Sequence, residues 1–176
     1  LEPDDFQQGL AVISERSTHL NDFIKRYQQL TKLPQPQKTM INVRQLITTT
    51  THLFEHVDYQ LIDDKLSCYA DESQLEQVMV NLIKNACESN LAVGSELPIV
   101  VNAKLDANQL QLEIIDSGQG ISNMDNIFVP FYTTKNTGSG IGLVLSRQIV
   151  RNHGGDLTLS NRQDASGVIA TISLPN

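Results

Sequence analysis

The chain has 176 residues, enough for one domain of ordinary size and a short appendage. With 40% hydrophobic and 19% charged residues its composition is globular, and a net charge of −7 argues against a nucleic-acid surface, which would carry a basic patch. No run approaches the roughly 20 apolar residues of a membrane span and no basic-then-apolar leader opens the chain, so a soluble, cytoplasmic polypeptide is expected.

The opening Leu1-Glu2-Pro3 reads as the start of a fragment. Phe6, Leu10, Ile13, Ser17, Leu20, Ile24, Tyr27 and Thr31 then recur at spacings of four and three, a heptad seam expected on a helix packed in a bundle or coiled coil. Gly9 weakens its first turns. Leu33-Pro34-Gln35-Pro36 stops the helix, giving an N-terminal segment of residues 1–33, a linker at 34–41 and a main domain at 42–176. Asn42 can cap a helix with apolar positions Val43, Leu46, Ile47, Thr50, Leu53 and Phe54. Residues 59–62 and 66–70 read as two strands of a hairpin around Asp63-Asp64-Lys65.

Asp71 or Ser73 can cap the next helix, whose buried face is Leu75, Val78, Met79, Leu82, Ile83 and Ala86. Gln74, Gln77, Asn81, Asn85 and Glu88 form a polar stripe beside that face. Asparagine is a poor helix former, so Asn81 and Asn85 on one stripe suggest use, although a solvated face explains them too. Residues 97–105 and 110–115 read as paired strands turning at Asp106-Ala107-Asn108, and the second delivers Asp116-Ser117-Gly118-Gln119-Gly120 at its end. Residues 119–139 are long, irregular and glycine-flanked, as a lid would be. Gly138-Ser139-Gly140-Ile141-Gly142-Leu143 opens a helix over 141–150, where unpaired N–H groups attract anions. The glycines fit neither the P-loop nor the dinucleotide template, and alone they mark only a turn. Gly154-Gly155 ends that helix, and residues 156–160 and 168–174 complete the sheet. These elements suggest a two-layer α/β sandwich, of α/β (α+β) class, with helices on one face of a mixed sheet. Cys68 and Cys87 lack metal spacing and read as buried reduced thiols, while His52, His56 and His153 read as surface or packing residues.

In order, Asn81-Leu82-Ile83-Lys84-Asn85-Ala86, Asp116-x-Gly118-x-Gly120, Phe128-x-Pro130-Phe131 and Gly138-x-Gly140-x-Gly142-Leu143 closely resemble the N, G1, F and G2 boxes of two-component sensor histidine kinases. The resemblance covers about residues 40–176. Tyr132-Thr133-Thr134-Lys135 and Leu145-Ser146-Arg147-Gln148-Ile149-Val150 look most like the nitrogen-regulation type. It implies the Bergerat-type ATP-binding fold shared with gyrase, heat-shock chaperone and mismatch-repair ATPases. The implied activity is transfer of the ATP γ-phosphoryl group to a histidine on a dimerisation hairpin, for relay to the receiver domain of a response regulator. Residues 1–33 would be the second helix of that hairpin. His19 lies on the wrong helix to be the acceptor, which is expected outside this chain.

The resemblance also implies roles. Asp116 would read the adenine amine, with Gly118 and Gly120 letting the ring approach. Asn85 would hold Mg²⁺, Asn81 would face the phosphates or metal waters, and Lys84 and Lys135 would neutralise phosphate charge. Gly138, Gly140 and Gly142 would offer backbone donors, and Phe131, Thr134, Ser139, Ile141 and Leu143 complete the nucleotide-binding set. Phe128, Phe131 and Tyr132 would pack the lid and contact the acceptor domain, with Phe128 and Phe131 equally readable as core. Val129 replaces an acidic residue common in this box. Hydrolysing relatives place a glutamate where this chain has Asn81, an amide that cannot take a proton, so transfer is favoured over attack by water. The parent protein is expected to be a homodimer, with inner-membrane anchoring as an option, and this portion to touch neither membrane nor nucleic acid. A gyrase-like ATPase and a non-catalytic nucleotide-binding module remain the alternatives.

Overall fold

The computed structural model describes residues 33–61, 65–106, 108–135 and 138–175 and, ahead of them, residues 10, 12–14, 16–18, 21, 24 and 28. The chain forms two compact units, Leu1–Pro34 and Gln35–Asn176. In the first, every described residue from 10 to 28 is helical, and Leu10, Ile13 and Ile24 of the heptad seam are exposed. Phe6, His19, Leu20, Tyr27 and Thr31 lie outside the described residues.

The second unit is a two-layer sandwich. Its five-stranded sheet has the order β2-β4-β5-β7-β6, built from Val57–Leu61 (β2), Ile99–Asp106 (β4), Gln109–Ile115 (β5), Val168–Pro175 (β7) and Asp156–Asn161 (β6). β2 runs parallel to β4 and the remaining pairs are antiparallel, so the sheet is mixed. The period-2 pattern puts Ile99, Val101 and Ala103, then Leu110, Leu112 and Ile114, then Val168, Ala170, Ile172 and Leu174 on one buried face. Helices Val43–Thr51 (α1), Glu72–Ala92 (α2) and Gly142–Asn152 (α3) pack against it, over β2, over β4 and β5, and over β6 and β7 respectively. They contribute Leu46 and Ile47, Leu75, Met79 and Ile83, and Ile149, all fully buried and each stabilising by about 1.5–3 kcal/mol. The opposite face is half-exposed and carries the Lys104–Glu113 ion pair at 2.9 Å.

Both helix starts read from the sequence are capped as the side chains dictate. Asn42 Oδ1 accepts from Gln45 N at 3.0 Å, and Asp71 Oδ1 accepts from Gln74 N at 3.2 Å. α1 stops at Thr51, leaving Leu53 exposed rather than on its apolar face. The hairpin expected at 59–62 and 66–70 does not form. β2 pairs with β4, whereas Ser67–Ala70 (β3) pairs antiparallel with Thr39–Asn42 (β1), in residues otherwise read as linker. Apolar alternation marks a strand but does not choose its partner, and burial of Ile41 and Cys68 in this small sheet decides the pairing. Asn108, with φ of 66°, makes the β4–β5 turn.

Candidate functional site

Helix α2 is the ruler of the site. Its apolar face buries Leu75, Val78, Met79, Leu82, Ile83 and Ala86, so the adjacent stripe turns toward the space between α2 and α3. Asn81, Asn85 and Ser89 follow at one-turn intervals and span about 12 Å at 1.5 Å per residue. A cleft of about 870 Å³ opens along them. Asn81 stands at the α3 end, where its Nδ2 donates to the buried Ser146 hydroxyl at 3.0 Å. Ser89 stands at the other end, against Gly118, where an added Cβ would lie 2.9 Å from the Ser89 backbone carbon.

Asp116 lies beyond the end of β5 and is 6% exposed. Its Oδ1 accepts from Gly118 N at 2.9 Å and Val168 N at 3.1 Å. Burial pushes its carboxyl above the usual range against those bonds, the Arg162 charge and the Ser89 hydroxyl. The turn after it is buttressed by the β6–β7 loop. Arg162 donates to Asp116 O at 3.2 Å and Ser117 Oγ at 3.1 Å, and Ser166 donates to Gly118 O. Asn161 holds both backbone groups of Ile121, accepting from N at 2.7 Å and donating to O at 2.9 Å. From the helix side, Asn90 accepts from Ser117 N at 2.7 Å. Ile114, Leu159, Val168 and Ala170 form an apolar floor beside this acid.

Within 119–139, the span expected as a lid, the described residues are irregular apart from a short turn at Met124–Asn126. Phe128 stacks on Arg147 of α3 at 4.2 Å, and Arg147 forks onto Asp156 at 3.0 and 3.1 Å. Phe131 has φ of 67° and donates its N–H to Gly140 O at 2.9 Å. Gly140, with φ of 65°, has no room for a Cβ against the Phe131 backbone. Further on, Lys135 Nζ donates to Asn85 Oδ1 at 3.1 Å and pairs with Glu88. The first turn of α3 follows, with Ile141 as an N-cap whose side chain caps nothing and whose own N–H donates to Ser139 Oγ at 3.4 Å, so the N–H groups that follow it are the ones that would attract an anion. One cleft thus joins a buried acid on an apolar floor to a cationic, donor-rich end, the chemistry of a ligand with an amine-bearing ring and an anionic tail.

The family described as histidine kinase-, DNA gyrase B-, and HSP90-like ATPase matches residues 70–176, more than half of the chain. The chain belongs to this family. It is 28% identical to Sporulation kinase E of Bacillus subtilis (strain 168) over 97% of this chain and 24% of that protein. It therefore spans about a quarter of that relative's length. A nucleotide-free structure of the catalytic domain of histidine kinase ThkA superposes with a TM-score of 0.70 at 28% identity, over 79% of this chain and 95% of that one. The structure of ThkA in complex with the response regulator TrrA superposes at 0.73 with 25% identity, over 99% of this chain and 52% of that one. Among the family's members the resemblance is to the sensor histidine kinases, and the fold is theirs.

In this ATPase-family domain the cleft gathers most of the residues expected to bind. Asn81, Lys84, Asn85, Asp116, Gly120, Thr134, Lys135, Gly138, Ser139, Gly140, Gly142 and Leu143 line it. Gly118, Phe131 and Ile141 do not: Gly118 faces Ser89, Phe131 is 36% exposed, and Ile141 is a buried helix cap. Within the polar stripe, Glu88 reaches the cleft, whereas Gln74 is buried and Gln77 exposed away from it. The buttress of Asn90, Asn161, Arg162 and Ser166 went unseen in the sequence. Gly167, whose φ of 129° and contact with Asp116 O exclude a side chain, was its one available signal.

The remaining residues sort by burial. Cys68 is buried and its thiol is pushed up to about 11, while Cys87 is half-buried with its thiol also raised by burial. His52 and His56 are exposed, and His153 is 2% exposed. Its Nε2 accepts from Asp71 N at 3.0 Å and its Nδ1 faces Ile149 O at 2.8 Å, so it joins the start of α2 to the end of α3. Among the described residues no group of three or more His, Cys, Asp and Glu could hold a metal, and no helix is long and apolar enough to cross a membrane. A magnesium site of one amide oxygen completed by phosphate fits what is present. Asn85 Oδ1 already faces a cation, the Lys135 ammonium, and it is a hard oxygen donor beside the Glu88 carboxylate.

Proposed function

We propose that this chain is the nucleotide-binding catalytic portion of a sensor histidine kinase that moves the γ-phosphoryl group of ATP to a histidine nitrogen of a partner hairpin. The observation that carries the reading is the single cleft in which Asp116, the α2 amides and the uncapped start of α3 line up in that order. Asp116 Oδ1 is committed to the backbone, so its carboxyl is fixed in orientation and offers its second oxygen to the adenine amine. The apolar floor takes the ring, and the α3 donors with Lys84 and Lys135 take the phosphates.

In the transfer the bond from γ-phosphorus to the β,γ-bridging oxygen breaks, that oxygen leaves with the diphosphate, and a phosphorus–nitrogen bond forms on histidine. Lys84 and Lys135 neutralise charge on the equatorial oxygens. Mg²⁺, held through Asn85 Oδ1 and the phosphates, would supply further charge neutralisation. Asn81 keeps its amide nitrogen on Ser146 and supplies no base for water, which suppresses hydrolysis. Residues 1–33 serve as the second hairpin helix and 34–38 as the connection, and the catalytic domain read from the sequence as 42–176 begins with β1 at Thr39. The acceptor histidine comes from the same protein or a dimer mate, and a response regulator receives the phosphoryl group, as the ThkA–TrrA complex supports for a relative. The domain works in the cytoplasm.

Calorimetric titration with ATP, with and without Mg²⁺, alongside phosphate release, tests this reading. Metal-dependent binding with release slower than about 1 s⁻¹, followed by phosphorylation of a supplied histidine hairpin, is expected. Rapid release would point to an ATPase, and absence of binding would reduce the domain to a regulatory module.

A further inference from the structure

Both lysines assigned to phosphate converge on one carboxylate that the binding chemistry does not require. Lys135 reaches Glu88 Oε2 from the lid, and Lys84, one turn before Glu88 on α2, lies 4.0 Å from Oε1. A carboxylate beside a triphosphate repels it unless its charge is neutralised, so Glu88 has to act through its neighbours. The same Lys135 ammonium also engages Asn85 Oδ1 at 3.1 Å, the oxygen assigned to a divalent cation. Lys135 is the single Lys or Arg in residues 119–139, so the lid brings one cation to α2 and that cation sits between Asn85 and Glu88.

We propose that Glu88 is a positioning residue that latches the lid through Lys135, and that a divalent cation arriving at Asn85 frees the lysine from that amide oxygen. The latch stands on the observed contacts alone; the release step rests on the proposed role of Asn85. Both members of the pair are 41% exposed, so the latch is shallow and opens readily. Such a pair suits a lid that must hold its lysine near the phosphate site in the empty protein and surrender it once metal and nucleotide are present. Lys84, from its own turn, keeps Glu88 partly neutralised when Lys135 leaves.

Limited trypsin digestion reads this directly, because Lys135 is itself the cleavage site of the lid. Cleavage after Lys135 is compared by mass spectrometry with cleavage after Lys104, which lies in β4 and reports unfolding. Without nucleotide, Glu88→Gln is expected to speed cleavage at Lys135 by about two- to five-fold, the range for a half-exposed ion pair, and to leave Lys104 unchanged. MgCl₂ alone is expected to speed cleavage at Lys135 in the native chain beyond KCl of equal ionic strength. Should the variant unfold, the native chain gives the same answer, since KCl at about 1 M, with a screening length of about 3 Å, is expected to raise cleavage at Lys135 alone. Equal cleavage in the native chain and the variant, or indifference to KCl, overturns the latch, and no effect of MgCl₂ overturns the release. An intact latch in a protein that fails to bind ATP would sink the kinase reading and leave Glu88 in its place.

Discussion

Replacing Asp116 by asparagine separates recognition from architecture. Asp116 Oδ1 takes the N–H groups of Gly118 and Val168 at 2.9 and 3.1 Å in a side chain that is 6% exposed. Alanine would strand both donors at about 1–3 kcal/mol each, so its effect on binding would be confounded with loss of fold. The amide oxygen supplied by Asp116→Asn can accept both bonds, while its nitrogen turns a donor toward the donor amine of adenine. The sign of the stability effect follows from burial, which raises the Asp116 pKa in the folded chain. A raised acid contributes stability that is complete below its unfolded pKa and lost as pH rises through the folded value, so the neutral amide is expected to keep or raise the melting temperature at pH 7. ATP affinity is expected to fall by about 1.5–3 kcal/mol, roughly 10- to 150-fold, the scale of a hydrogen bond to a charged group. Titration calorimetry with ATP and with inosine triphosphate, whose 6-oxo group is an acceptor, sharpens the test. The native chain should prefer ATP and the variant should narrow that preference. Unchanged ATP affinity in a folded variant, or an unchanged preference, refutes the assignment of Asp116 to the adenine amine.

Asn85→Ala is expected to remove the Mg²⁺ dependence of ATP binding, and full retention of that dependence in calorimetry would detach Asn85 from the metal. The Arg147 fork, assisted by Arg151, holds the Asp156 carboxyl down to about 2 from its ordinary 3.8. A depressed acid contributes stability present above the unfolded pKa and lost as pH falls through the folded one, so the contribution of Asp156 should disappear between about pH 4 and pH 2. Its side chain is 41% exposed, so after solvent screening Asp156→Asn should cost about 1 kcal/mol at pH 7 in urea unfolding, with the difference closing in that acid window. His153→Phe should cost about 1–3 kcal/mol in the same assay, because Asp71 N loses its acceptor; a variant of native stability would show that water replaces the ring there.

Much of the cleft was legible because its residues ride on regular elements. Asn81 and Asn85 stand on a 3.6-residue stripe beside a face whose apolar members are all buried, and Asp116 follows a strand whose alternation places Leu110, Leu112 and Ile114 on the sheet's inner side. What stayed hidden depends on contacts between distant irregular segments. Asn161 and Ile121 are 40 residues apart and Val168 and Asp116 are 52 apart, and nothing in either loop repeats. The floor was hidden for a different reason: Ile114, Val168 and Ala170 continue the core pattern of β5 and β7, and periodicity does not distinguish a side chain facing a ligand from one facing a helix. Pairing of β2 was misread because a parallel partner lies beyond a long crossover, here β3 and α2, whereas a nearby strand invites a hairpin.

The glycines show how one sequence signature can record separate physical demands. At Gly118 an added Cβ would press on the Ser89 hydroxyl and, at 2.9 Å, on the backbone carbon of α2, which cannot swing away. At Gly142 the obstacle is the Asn81 amide, the end of a movable side chain, and the residue is the first of α3, where alanine favours helix over glycine by up to about 1 kcal/mol. Gly118→Ala should therefore lower stability by about 1–3 kcal/mol, the cost of overpacking, because α2 has to shift. Gly142→Ala should keep or gain stability while pushing Asn81 off Ser146 and weakening ATP binding. Thermal melting and calorimetry on the two variants separate the effects. If both lose stability alike, or if Gly142→Ala binds ATP as the native chain does, then close packing and ligand approach are not divided between these glycines as the geometry indicates.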